Sequence, residues 1–405
     1  MTVVVQALVD GVDVTPYVLD GSTTHMHNQP SQVTIMAPTR LAPWAPTSRL
    51  KLVLDGSTLD FHGACSAIEH SGTESDPPYS KYTFTAPSAI LEYRPMRDGA
   101  ASGDPGDFSK PSVIARLGTA PQIMEEVLTQ SLIAGDPPDA EGPAGFTLGT
   151  FATGGANLAG APADYPMQIS ELQAMLAETG QLDMVETFID SAGSMSQLSY
   201  YNGNYGTDRS GSVAFRYAEG SASNCRACRW TQDLSELMNK LWIYLGPRVK
   251  PKSDPAGDQH WAANITGDSV FTALPNLNPS VILAARDASQ ASYFVRMLVR
   301  IFDGDESVAL DLFKGWWLME SWLRLKPKQL ISVTPHRGIS PAFRCGDIIR
   351  VSAGSNFAGG FNKVQRVMGY TYRWTRDGPI ELGEPVGAPV GTAAVVTTSD
   401  HEGGA

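Results

Sequence analysis

Charge is thin in this sequence and cysteine thinner. Of 405 residues, only 18% are Asp, Glu, Lys or Arg, and four are cysteine. So few thiols cannot frame a disulfide scaffold, and the expectation is a fold made in a reducing compartment. Lys and Arg number 30 against 42 Asp and Glu, a net charge of −12. A protein that grips nucleic acid over its whole surface needs clustered Lys and Arg, so that class is excluded. No apolar run reaches the ~18 residues of a membrane span, and no membrane insertion is expected. The opening stretch has no basic region, and its apolar run breaks at Gln6. It does not read as a secretion signal. Hydrophobic residues, in contrast, make up 42%, more than a disordered chain carries. Gly (39) and Pro (28) mark a turn-rich chain, long enough for two to four domains.

The two ends of the chain read as β. Val3–Leu8 form a strand stopped by Asp10-Gly11. Residues 49–54 alternate, with Leu50, Leu52 and Leu54 on one face, and Asp55-Gly56 suits a hairpin in which both central residues take positive φ. Strands follow near Cys65–Ile68 and around Tyr82 and Phe84. From Leu330 to Leu382 the pattern returns, with Tyr370, Tyr372 and Trp374 sharing a face and Asp377-Gly378 as a turn. Between the ends, Pro121 opens a helix with Ile123, Met124, Val127 and Leu128 as its stripe, and Ser170–Gln173 has a capping-box pattern. Residues 134–166 read as a long Gly/Ala/Pro-rich loop. Strands are expected at 182–190, 196–201, 212–217 and 293–302. Helices are expected from Asp233 to Leu245 and over 305–323, and 389–405 reads as a flexible tail.

The motifs that carry chemistry are missing. There is no G-x-S-x-G around Ser194, no phosphate loop and no H-E-x-x-H. Gly149, Gly154, Gly155 and Gly160 do not make a dinucleotide fingerprint, because they sit in the low-complexity loop. Cys225 and Cys228 form one C-x-x-C, half of what a closed zinc site needs, while Cys65 and Cys345 stand alone. His25 and His27 would share a strand face but lack a third ligand nearby, and read as surface histidines. The carboxylate groups Asp183/Glu186/Asp190 and Asp303/Asp305/Glu306 are common in an acidic chain, and the second sits at an expected helix start. Trp316, Trp317 and Trp322 fit a core or interface better than a sugar platform. No catalytic, cofactor-binding or metal-ligating residue is nominated, and no cofactor.

The run Ala89–Gly99 closes the first β block with an Arg94-Pro95 step. It leads through Phe108-Ser109-Lys110-Pro111-Ser112 into the helix at Thr119–Met124. With Thr15-Pro16-Tyr17-Val18, Ile331–Pro335, Gly346–Val351 and Arg366–Trp374, this order resembles the tail-hub family of long-tailed bacteriophages. These proteins are also called baseplate hub or minor tail proteins, and the resemblance is to those of phages of actinobacteria. The resemblance spans most of residues 1–385.

It implies a non-enzymatic homotrimer, made in the host cytoplasm and sited at the virion tail tip. The implied fold is α+β and β-dominated, with two tube-forming antiparallel β-barrel-like domains and inserted α/β segments. Residues 1–95 would be the first ring domain and 181–230 plus 331–388 the second. Residues 96–180 would be a peripheral linker, and 231–330 an inserted peripheral domain. Three chains would give a pseudo-sixfold ring that continues the tail tube and adapts it to a threefold tip. The implied partners are further copies of the chain, the distal tail protein ring, tail-tip or fibre proteins and the tape measure protein. Genomic DNA would meet it only in transit, which suits a lumen of repulsive charge. A host-receptor or carbohydrate-binding tail-tip protein is the alternative, then a tail-associated cell-wall hydrolase.

Overall fold

The computed structural model describes residues 5–39, 44–72, 78–94, 117–129, 145–154, 158–159, 168–178, 182–191, 194–203, 205–218, 223–235, 237–245, 287–292, 294–295, 297–302, 328–336, 343–357, 359–376, 381–382 and 386–389. Strands dominate, with few helices.

The N-terminal block holds β1 (Val5–Val9), β2 (Val12–Asp13), β3 (Asp20–Met26), β4 (Gln32–Pro38), β5 (Arg49–Leu54), β6 (Thr58–Ser71) and β7 (Tyr79–Thr85). Its turns follow the sequence chemistry. Asp10 and Gly11 have φ of 50° and 82°, Asp55 and Gly56 of 50° and 71°. Two successive positive φ values match the twist of the strands they join. Leu50, Leu52, Phe61, Tyr82 and Phe84 are fully buried on the inner face.

The middle of the chain gives β8 (Leu117–Gly118), α1 (Ala120–Leu128), β9 (Phe146–Phe151), β10 (Leu158–Ala159), α2 (Ile169–Glu178), β11 (Asp183–Ser191) and β12 (Ser194–Tyr201). In α1, Thr119 and Gln122 close a capping box, and Ile123, Met124, Val127 and Leu128 are buried as the stripe requires. In α2 the reciprocal bond is shifted from the expected position. Glu171 accepts from the Gln168 backbone N–H, so the helix begins one residue before Ser170. The expected loop at 134–166 contains β9 and β10, because Phe146-Thr147-Leu148 alternates well enough to pair beside β12.

Next come β13 (Ala214–Tyr217), β14 (Cys225–Asp233), β15 (Lys240–Leu245) and β16 (Met297–Phe302). The helix expected from Asp233 is corrected: β15 pairs in parallel with β16 over residues 240–245. Asp233 Oδ1 accepts from the Ser235 N–H, a local turn rather than a helix cap, and the run Leu241-Trp242-Ile243-Tyr244-Leu245 favours extended backbone. The C-terminal block holds β17 (Lys328–Pro335), β18 (Ile348–Ala353), β19 (Phe361–Trp374), β20 (Glu381–Leu382) and β21 (Val386–Pro389). The expectations at 96–116, 303–327, 377–378 and 390–405 lie outside the described residues.

Fourteen strands join one sheet, in the path β14-β17-β21-β19-β3-β4-β7-β6-β5-β1-β2, with β18 and β20 on β19 and β13 on β18. Among the described residues this path does not close on itself. Of residues 181–230, β13 and β14 pair with C-terminal strands, whereas β11 and β12 form a separate three-stranded sheet with β9. Periodicity identifies a strand but not its partner.

The path contains the same arrangement twice. In the N-terminal block the order is β3-β4-β7-β6-β5, all antiparallel. The C-terminal order is β14-β17-β21-β19-β18, again all antiparallel. The details coincide. Strand β6 carries a bulge between Cys65 and Ala67, and β19 carries one between Val367 and Gly369. The Cys65 N–H donates to the Ser48 carbonyl at 2.9 Å, and Val367 to that of Asp347 at 2.9 Å. Both hairpins bury the second and fourth residues of their first strand, Leu50 and Leu52 or Ile349 and Val351. One departure is the outer strand, antiparallel for β1 and parallel for β13.

Candidate functional site: the seam between the two blocks

The blocks meet where β19 pairs with β3, Gly369 opposite Met26 through Trp374 opposite Gly21. On the inner face of this seam, Tyr370, Tyr372 and Trp374 are buried, and the His25 ring lies 5.0 Å from that of Tyr370. On the outer face, the Thr24 and Thr371 hydroxyls are 3.1 Å apart.

Two buried polar clusters flank the seam. In the first, His25 reaches Asp60 Oδ2 at 3.2 Å and Ser31 at 3.0 Å, and the Tyr372 hydroxyl donates to Asp60. Burial alone would raise the Asp60 pKa. The neighbouring His25, by charge and hydrogen bond, and the Tyr372 hydroxyl reverse that and hold it below the ordinary carboxylate value. In the second, Asp183 accepts from His27 Nε2 at 2.7 Å, Arg366 Nη2 at 2.5 Å and the Tyr205 N–H at 2.8 Å. Here too burial pushes up, and the hydrogen bond from His27, the Arg366 charge and the backbone donor win, so the pKa is lowered. Asp183 thereby joins the N-terminal block, the three-stranded sheet and β19. His25 and His27, expected at the surface, are buried on different carboxylates, and no shared metal site forms between them. The loop-like stretch at 25–27 gave no sign of these partners, which lie 35 and 156 residues away.

The carboxylates of β11 part company. Asp190 is exposed and paired with Lys51, while Glu186 accepts from the Ser88 and Ser196 hydroxyls inside the protein. Burial raises the Glu186 pKa, only partly offset by those hydroxyls. A raised folded value means the group favours folding when protonated. Its contribution is complete below the ordinary Glu range and fades as pH climbs through the folded pKa. Glu186→Gln keeps one acceptor and one donor without the charge. We expect it to gain stability relative to wild type as pH rises above the ordinary Glu range, as read by urea midpoints at successive pH values. A variant that loses ground as pH rises would contradict this sign.

The bulge between Cys225 and Ala227 turns the C-x-x-C so that both thiols pack at the core. Burial and the neighbouring Cys228 push Cys225 up to about 12, and burial pushes Cys228 up to about 11. Such thiols stay protonated and are poor nucleophiles. Cys65 and Cys345 are also free. Ser194 opens β12 and Gly149 lies in β9. Among the described residues no three of His, Cys, Asp or Glu are placed to hold a metal, and no helix is long and apolar enough to cross a membrane. Asp303, Asp305, Glu306, Trp316, Trp317 and Trp322 lie outside the described residues.

No family model matches the sequence. No curated protein matches it either. Solved structures do match over nearly the whole length. A tail protein from Neisseria meningitidis MC58 is 10% identical, with 97% of this chain and 99% of that chain covered and a TM-score of 0.55. The 43 kDa tail protein of prophage MuSo2 from Shewanella oneidensis is 12% identical, with 95% and 97% covered and a TM-score of 0.52. The prophage tail protein gp18 from Listeria monocytogenes EGD-e is 12% identical, with 96% and 94% covered and a TM-score of 0.50. The chain shares their fold.

Proposed function

We propose that this chain is a structural component of a phage-type tail tip, a homotrimeric hub rather than an enzyme. One observation carries the reading: a single polypeptide holds two β blocks of the same strand order, with bulges at corresponding positions. Two near-equivalent wedges per chain are what a threefold assembly needs to present sixfold contacts to a tube. The fold shared with tail proteins supports the same reading. The sequence resemblance supplies the host class, actinobacteria, and the partners: the distal tail ring, tail-tip or fibre proteins, the tape measure protein, and DNA passing through.

The polar clusters at the seam then act as fasteners. A carboxylate held by a guanidinium, an imidazole and a backbone N–H fixes the angle between the blocks better than apolar packing alone, because charge-assisted bonds are directional. The purified chain is expected to have three times its monomer mass by light scattering, with ring-shaped particles in negative stain. A twofold dimer, or a monomer at every concentration tested, would remove this reading. Release of wall fragments from host cells would instead support a hydrolase.

A further inference from the structure

The repeat has one consequence for the two ends of the sheet. Matched strand by strand, β19 corresponds to β6 and β3 to β14. Strands β19 and β3 pair within the chain. The corresponding pair, β6 and β14, does not: β6 over residues 67–71 pairs only with β7, and β14 only with β17, among the described residues. Burial records the missing neighbour. Tyr370 and Tyr372 are buried, while the corresponding Ile68 is half-buried and His70 exposed. Thr23 and His25 are buried, while the corresponding Trp230 is half-buried and Gln232 exposed.

We infer that the outer edge of β6 pairs antiparallel with β14 of a second copy of this chain, in the register of the β19–β3 seam. This rests on the assembly reading above and names its contact. Carrying the seam register across places Ile68 opposite Gln232, Glu69 opposite Thr231, His70 opposite Trp230 and Ser71 opposite Arg229. The inner face then sets an imidazole beside an indole, as the intrachain seam sets His25 beside Tyr370 and Tyr372. The outer face sets Glu69 diagonal to Arg229, opposite charges that are both exposed in the single copy. In the single copy Glu69 reaches Lys81 at 3.9 Å. The contact is head-to-tail, so one copy's β6 meets the next copy's β14 and the repetition closes a ring. Closure also removes two exposed strand edges, which otherwise invite aggregation.

The test is crosslinking of the full-length chain. Glu69 and Thr231 correspond to Thr371 and Thr24, whose hydroxyls are 3.1 Å apart. The double variant Glu69→Cys/Thr231→Cys should form inter-chain disulfides on mild oxidation, running as dimer and trimer on non-reducing gels and collapsing with reductant. Each single variant controls for the native thiols. Glu69→Cys/Gln232→Cys, whose second residue faces the other side, should stay near the single-variant level. Equal linking in that control would overturn the register. A trimer by light scattering with no linked species would overturn the edge pairing while leaving the trimeric hub standing. Monomers with no linked species would overturn both.

Discussion

Replacing Arg366 by methionine is expected to lower the unfolding free energy by about 3–5 kcal/mol, the cost of breaking a buried ion pair from one side. The Arg366 side chain is 19% exposed and its partner Asp183 only 2%. Its guanidinium also donates to the Gly203 carbonyl at 2.8 Å and to that of Tyr205. Methionine fills much of the volume but leaves Asp183 with His27 and one backbone donor, and the Gly203, Tyr205 and Gly346 carbonyls without their cation. The readout is a lower urea midpoint at unchanged slope. Removing both charges, as Arg366→Met/Asp183→Leu, should cost less than the sum of the single variants, since no orphaned carboxylate remains. The pH dependence has a fixed sign. A depressed folded pKa contributes stability above the ordinary Asp value, and that contribution is lost as pH falls through the folded value. Wild type should therefore weaken below about pH 4 more steeply than Asp183→Asn. Parallel acid limbs would mean that Asp183 does not carry this linkage.

Much of the strand framework was legible from period-two alternation and Asp-Gly pairs. The expected strand at 49–54 matches β5, and the shared face of Tyr370, Tyr372 and Trp374 is the buried one. Both features are local: a residue's neighbours two positions away decide which face it presents. Partner choice is not local. Nothing near Asp183 announces Arg366, 183 residues on. The β12–β9 pairing and the β3–β19 seam likewise join segments whose own patterns would suit other partners. The expected helix at Asp233 failed because a capping pattern also describes a local turn, and the following run decides between them. The repeat became visible only through pairing. Residues 58–71 and 361–374 share a length and a bulge near mid-strand but few residue types.

The seam itself is open to a size-exchange experiment at Gly21 and Trp374. The two residues face each other across the ladder, and a Cβ on Gly21 would come within 2.4 Å of the Trp374 ring. Trp374 is 1% exposed, and its Nε1 donates to the Thr23 hydroxyl at 3.3 Å. The indole thus lies over the one position in β3 with no side chain. Trp374→Ala should cost about 3–5 kcal/mol, the lost burial plus a cavity. Gly21→Ala should cost about 1–3 kcal/mol, because a methyl group must displace a ring held on its other sides. In the double variant the methyl enters the space the indole vacates, and the combined loss should fall short of the sum by about 0.5–3 kcal/mol. Additive losses would mean that the ring and the glycine do not share space. Hydrogen exchange would locate the damage. Both single variants should lose amide protection first over residues 21–26 and 369–374, with the β5–β6 hairpin holding longer, because that hairpin keeps Leu50, Leu52 and Phe61 packed within its own block. Simultaneous loss across both blocks would instead make the seam part of one cooperative core. In that case the angle between the two blocks is set by the shared apolar cluster as well as by the Asp183 and Asp60 clusters.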